Sequence, residues 1–118
     1  MESKKKVYEA FAELIYAVVM ADGEVKEPEK SLITNIVSNH PIATYIQNHL
    51  ASGVKNTSIV QSFLHTLDVC REHGKDEEYT FLLNILVEIS KVSEGVDNEE
   101  GGFFAEFVAN FEKRFLLV

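Results

Sequence analysis

The chain has 118 residues, the length of one domain, and a core of that size needs neither metal nor disulfide to fold. Its hydrophobic share of 46% and charged share of 25% are those of a globular protein. A formal net charge of −8 and a pI near 4.9 exclude a nucleic-acid surface, because such surfaces are built from clustered Lys and Arg.

The one basic cluster, Lys4-Lys5-Lys6, is too short to make a stripe. The excess carboxylate instead suits a cation or a basic partner. A single cysteine, Cys70, excludes an internal disulfide and a CxxC zinc site, and it fits a reducing compartment. No continuous apolar core follows the first residues, and no apolar run approaches the ~18 residues of a membrane span. The expectation is a soluble, cytoplasmic domain covering residues 1–118.

In chain order, residues 4–21 read as a first helix, because Val7, Phe11, Leu14 and Val18 recur on one face. Ser3 is its candidate N-cap and Gly23 its stop. Pro28 suits the first turn of a second helix that carries Leu32, Ile33, Ile36 and Val37 and ends near Asn39. Pro41 opens a short third helix closed by Ser52-Gly53. Asn56 or Thr57 caps a fourth, which stops at Gly74. Asp76 opens the fifth, with Glu77 and Glu78 complementing its dipole. Phe81, Leu82, Leu83, Ile85, Leu86, Val87 and Ile89 cover most of that helix's circumference, which predicts a buried fifth helix at the centre. Asp97 and Glu100 form a capping-box pattern for a sixth helix, lined by Phe103, Phe104, Phe107, Phe111 and Phe115. With no strand-like alternation, the fold class is all-α: a compact bundle of about six helices.

An internal echo organises these elements. At an offset of 71 residues, Val25 falls on Val96, Glu29 on Glu100, and Leu32, Ile33, Ile36 and Val37 on Phe103, Phe104, Phe107 and Val108. Each half thus holds a helix, an acidic turn and a second helix entered through a glutamate. The reading is of two pseudo-repeated helix-turn-helix halves.

The run Ala21-Asp22-Gly23-Glu24-Val25 before Glu29, with its later copy Gly95-Val96-Asp97 before Glu100, resembles the TerB-like family, named for bacterial tellurite resistance. The resemblance implies a small bundle of pseudo-repeated halves with an acidic face that binds divalent cations, in a response to metal stress or tellurite. Lys26 and Pro28 depart from the family's usual first copy, and the second copy is one residue shorter.

The turns do not make a calcium-binding EF-hand. Asp22, Gly23, Val25 and Glu29 match loop positions 5, 6, 8 and 12, but positions 1 and 3 would be Val18 and Met20, which carry no side-chain oxygen. The candidate metal ligands are therefore Asp22, Glu24, Glu29, Asp97 and Glu100, converging if the two turns lie side by side. Such an oxygen set favours Ca²⁺ or Mg²⁺ over Zn²⁺. The bland alternative is that Asp22-Gly23 ends a helix while Glu29 and Glu100 serve caps and dipoles.

The histidines form no convincing site. His65, Asp68 and Glu72 share a helical face that reads as solvated, and Cys70 reads as buried rather than nucleophilic. There is no Ser-His-Asp arrangement, phosphate-binding glycine loop or HExxH, so no enzyme is expected. The phenylalanine stripe of the sixth helix reads mainly as core. Beside Leu116, Leu117 and Val118 it also suggests a homodimer seam or a groove for a protein partner. A helical protein-interaction module with no metal role is the alternative to the cation-binding reading.

Overall fold

The computed structural model describes residues 2–20, 27–38, 40–52, 58–92 and 98–116. They form α1 (Glu2–Val19), α2 (Glu27–Val37), α3 (Ile42–Ser52), α4 (Ile59–His73), α5 (Tyr79–Val92) and α6 (Asn98–Phe111). A π-helical turn, Glu112–Leu116, extends α6. The described residues contain no strand, as the sequence predicts.

Local chemistry sets the helix ends. Pro41 stands at the start of α3 as predicted, and His40 caps that helix: its Nδ1 accepts from the Ile42 N–H at 3.1 Å and its carbonyl from the Ala43 N–H at 3.0 Å. Ser58, rather than Asn56 or Thr57, caps α4. Its backbone is extended and its hydroxyl accepts from the Gln61 N–H at 3.2 Å. Gly74 ends α4 at φ +89° and ψ −165°, a conformation open essentially only to glycine, and its N–H bonds the Cys70 carbonyl at 2.9 Å. Asp76 organises the entry to α5, accepting from the Glu78 N–H at 2.9 Å.

The centre of the bundle is α1, which corrects the expectation of a central fifth helix. From Val7 to Val19 every residue of α1 is buried except Glu9 and Glu13. α3 and α4 cover two of its sides and α5 lies alongside. α5 buries Tyr79, Leu82, Leu83, Ile85, Leu86 and Ile89, but exposes Thr80, Asn84, Glu88 and Lys91 at helical spacing. Phe81 and Val87, counted as wrapping the helix, are only half-buried.

The internal echo extends into these two helices. The six buried residues of α5 fall, at the same offset of 71, on Tyr8, Phe11, Ala12, Leu14, Ile15 and Val18, all buried in α1. The described starts of α2 and α6, residues 27 and 98, keep that offset.

The C-terminal part of the phenylalanine stripe is core. Phe107 stacks on Phe63 with ring centroids 4.7 Å apart, and Phe111 meets Phe11 edge-on at 5.6 Å and Tyr79 at 5.3 Å. Such aromatic pairs add about 0.5–1.5 kcal/mol each beyond the area they bury. Phe115, half-buried, lies on Phe111 and Tyr79. The side chains of Phe103 and Phe104 fall outside the described residues. No helix among the described residues is long and apolar enough to cross a membrane.

Candidate functional site

Three chain segments meet at the start of α5. The Glu78 carboxylate accepts from the Tyr8 hydroxyl at 2.6 Å, from Lys4 Nζ at 3.0 Å and from His40 Nε2 at 2.6 Å. Because His40 Nδ1 already accepts from Ile42, the ring proton sits on Nε2, the atom that faces Glu78. Asp76 takes Lys4 and, at 2.8 Å, His73 Nε2. His40 also packs on Tyr8 at 5.5 Å and on Phe81 at 4.8 Å.

The ionisations follow from this geometry. Burial alone would raise the Asp76 carboxyl, but hydrogen bonds from Lys4, the Glu78 N–H and His73 hold it down at about 2. Glu78 behaves likewise: burial opposes its charge, and Tyr8, Lys4 and His40 more than offset that, lowering it. For Lys4, burial lowers the ammonium, while bonds to Asp76 and Glu78 raise it on balance. Burial first, then the bond to Glu78, pushes the Tyr8 phenol up to about 12. Every donor in this clasp meets an acceptor, and no buried side-chain polar atom among the described residues lacks a partner. It ties three chain segments together.

The clasp brings helix ends together. Lys4 and Tyr8 place the start of α1 beside the start of α5. His40, three residues beyond α2, reaches the same turn, and Phe111, the last residue of α6, packs on Tyr79, the first of α5. Among the described residues α2 packs mainly on α5, and α6 on α4.

Of the sequence-predicted ligands, Asp22, Glu24 and Asp97 lie outside the described residues. Glu29 and Glu100 are the third residues of α2 and α6, and their side chains lie outside the described set. Among the described residues no group of three His, Cys, Asp or Glu is placed to hold a metal ion.

Two other features were partly legible. A polar groove of about 550 Å³ runs between α1, α3 and α4, lined by Lys6, Glu9, Glu13, His49, His65 and Glu72 among others. His65 and Glu72 belong to the face read as solvated, while Asp68 of that face pairs with Arg71 at 2.9 Å. Cys70 is fully buried, and burial pushes its thiol up to about 12, so it is no nucleophile at neutral pH. The clasp itself was missed. Lys4 read as part of a basic terminus, Asp76 as the opening of the fifth helix and Glu78 as a dipole partner, and none of these local readings pairs the residues with one another.

The described residues form an all-α bundle of six helices, with the clasp tying the start of α1 and the α2–α3 connection to the start of α5. No protein-family model, no curated protein and no solved structure matches the chain.

Proposed function

We propose that this chain is a non-enzymatic, TerB-like helical domain that takes up a divalent cation through its acidic junctions and acts in a metal-stress or tellurite response. The observation that supports this reading is that α1 and α5, the helices that precede the two junctions, bury their residues at one offset of 71 and meet at the clasp, as two copies of one unit would. The ligands in this reading are Asp22, Glu24 and Glu29 from the first junction and Asp97 and Glu100 from the second. All are carboxylates, a donor set that fits a hard cation such as Ca²⁺ or Mg²⁺ better than Zn²⁺. The cation would neutralise part of a net charge of −8 and join the two junctions. In this reading it is not needed for folding, because a chain of this length can close a core without metal.

Titration calorimetry with Ca²⁺, Mg²⁺ and Zn²⁺ tests this. One saturable event with Ca²⁺ or Mg²⁺ is expected, weakened by Asp22→Asn and by Asp97→Asn alike. No binding up to millimolar metal would remove the reading.

A second reading is a protein-interaction module without a metal role. It draws on Leu64, 58% exposed on α4 beside an apolar groove that also includes Val60, Leu67 and Phe107. It predicts self-association or partner capture that Leu64→Ser abolishes, with no response to cations. A monomer that captures nothing and is indifferent to Leu64→Ser rules it out.

A further inference from the structure

The entry to α3 depends on one imidazole. Ile42, the first residue of α3, is fully buried. Pro41 before it has no N–H. The next two amides bond main-chain oxygens, Ala43 to the His40 carbonyl at 3.0 Å and Thr44 to the Pro41 carbonyl at 3.3 Å. Among the described residues the Ile42 N–H has no main-chain acceptor, and it donates to His40 Nδ1 at 3.1 Å. The other ring nitrogen, Nε2, donates to Glu78 at 2.6 Å. The ring must therefore accept on one side and donate on the other, which the neutral imidazole alone can do.

Protonation keeps one of these bonds and destroys the other. An imidazolium still donates from Nε2 to the Glu78 carboxylate, as a stronger, charge-assisted bond. At Nδ1 it turns an N–H toward the Ile42 N–H, donor against donor. Histidine is the side chain that ordinarily changes charge between about pH 5 and 8. The titratable groups around this ring are Glu78 and Asp76 at the entry to α5, His73 on Asp76, and Lys4 and Tyr8 of α1. The two carboxyls are held low, and Lys4 and the Tyr8 phenol are raised, so all four keep their state while a histidine titrates.

We propose that His40 is a proton-operated latch on the first turn of α3: neutral, it caps the turn, and protonated, it releases the Ile42 N–H while staying bound to Glu78. The release is local. Ile46 remains in the core, Tyr45 packs on Tyr8 at 6.0 Å and His49 stacks on Tyr16 at 5.7 Å, so the rest of α3 stays on α1. The latch needs no cation and does not rest on the function proposed above.

The experiment is a pH titration between about pH 8 and 5, followed by magnetic resonance at the imidazole nitrogens and the backbone amides. At the alkaline end His40 carries its proton on Nε2. As pH falls, the Ile42 amide moves with the same midpoint as His40 Nδ1. After correction for the intrinsic rate, hydrogen exchange at Ile42 speeds up about tenfold, the scale of one lost buried hydrogen bond. Following each ring by its own resonances separates His40 from His73 and His49. In His40→Asn, whose side-chain oxygen accepts at every pH, the Ile42 amide loses its pH dependence. In His49→Gln, further along α3, the dependence stays.

An Ile42 amide that stays still while His40 titrates overturns the proposal. So does a His40 proton on Nδ1 at the alkaline end, or a pH dependence at Ile42 that persists in His40→Asn. Should His40→Asn not fold, the wild-type titration decides alone: a shared midpoint supports the latch and separate midpoints overturn it.

Discussion

α1 and α5 bury residues at one common offset and differ in what surrounds them. Their buried positions share one register, from Tyr8 and Tyr79 to Val18 and Ile89. Yet α1 is enclosed almost all round, while α5 keeps a polar stripe from Thr80 to Lys91. The difference comes from α3 and α4, which pack on α1. Internal repetition therefore sets which face of a helix points to the shared core. The segments between the repeats decide how much of the remaining circumference is covered.

The sharpest way to break this comparison is Ala17→Glu, which copies the residue at the equivalent α5 position, Glu88. Ala17 is 1% exposed. An unpaired carboxylate there should cost about 4 kcal/mol or more, a large part of the ~5–15 kcal/mol that holds a domain folded. Thermal or urea unfolding should show a protein that is barely folded or unfolded. A wild-type midpoint would mean that α1 is not enclosed.

Next in size is the clasp that aligns the two helices. Glu78→Ala leaves Lys4, Tyr8 and His40 without their shared acceptor, and about 2 kcal/mol of stability should be lost in urea. The pH dependence has a definite sign. Asp76 and Glu78 are lowered from ordinary values of 3.8 and 4.5, so their stabilisation is present above those values and is lost as pH falls toward about 2, the Asp76 value. Lys4 and Tyr8 are raised from 10.5 and 10.0, so theirs is full below pH 10 and lost as pH rises past it, Tyr8 at about 12. The clasp thus contributes fully from roughly pH 5 to 10, with losses on both sides that Glu78→Ala should flatten.

The smallest effect belongs to the exposed side of α5. Glu88→Ala removes a surface pair with Lys91 at 3.1 Å and should change stability by less than about 0.5 kcal/mol. A larger loss would place Glu88 in contacts that an exposed helix face does not make.

Helix number and type were legible because each helix carries a 3.6-residue apolar pattern and local punctuation such as Gly74. Ser58 shows the limit of that punctuation: Asn56 and Thr57 are equally good caps by type, and only backbone geometry selects among them. The central helix was misassigned because apolar density along α5 exceeds that of α1. Glu9 and Glu13 interrupt α1, and nothing in their local sequence shows that a groove lies beside them while α3 and α4 cover the rest. The clasp was illegible for a different reason. Its bonds join residues such as His40 and Glu78, which meet only once the bundle has assembled. The acidic junctions were the strongest local signal, and residues 21–26 and 93–97, which carry most of it, lie outside the described residues.

The direct test of the central claim is a metal titration followed at the amides of Gly23 and Gly95, one in each acidic junction. A single site built from both junctions predicts that the two amides shift together, with one midpoint, and that Asp22→Asn moves the midpoint at Gly95 as much as at Gly23. Two unrelated midpoints, or a response at only one glycine, would contradict it.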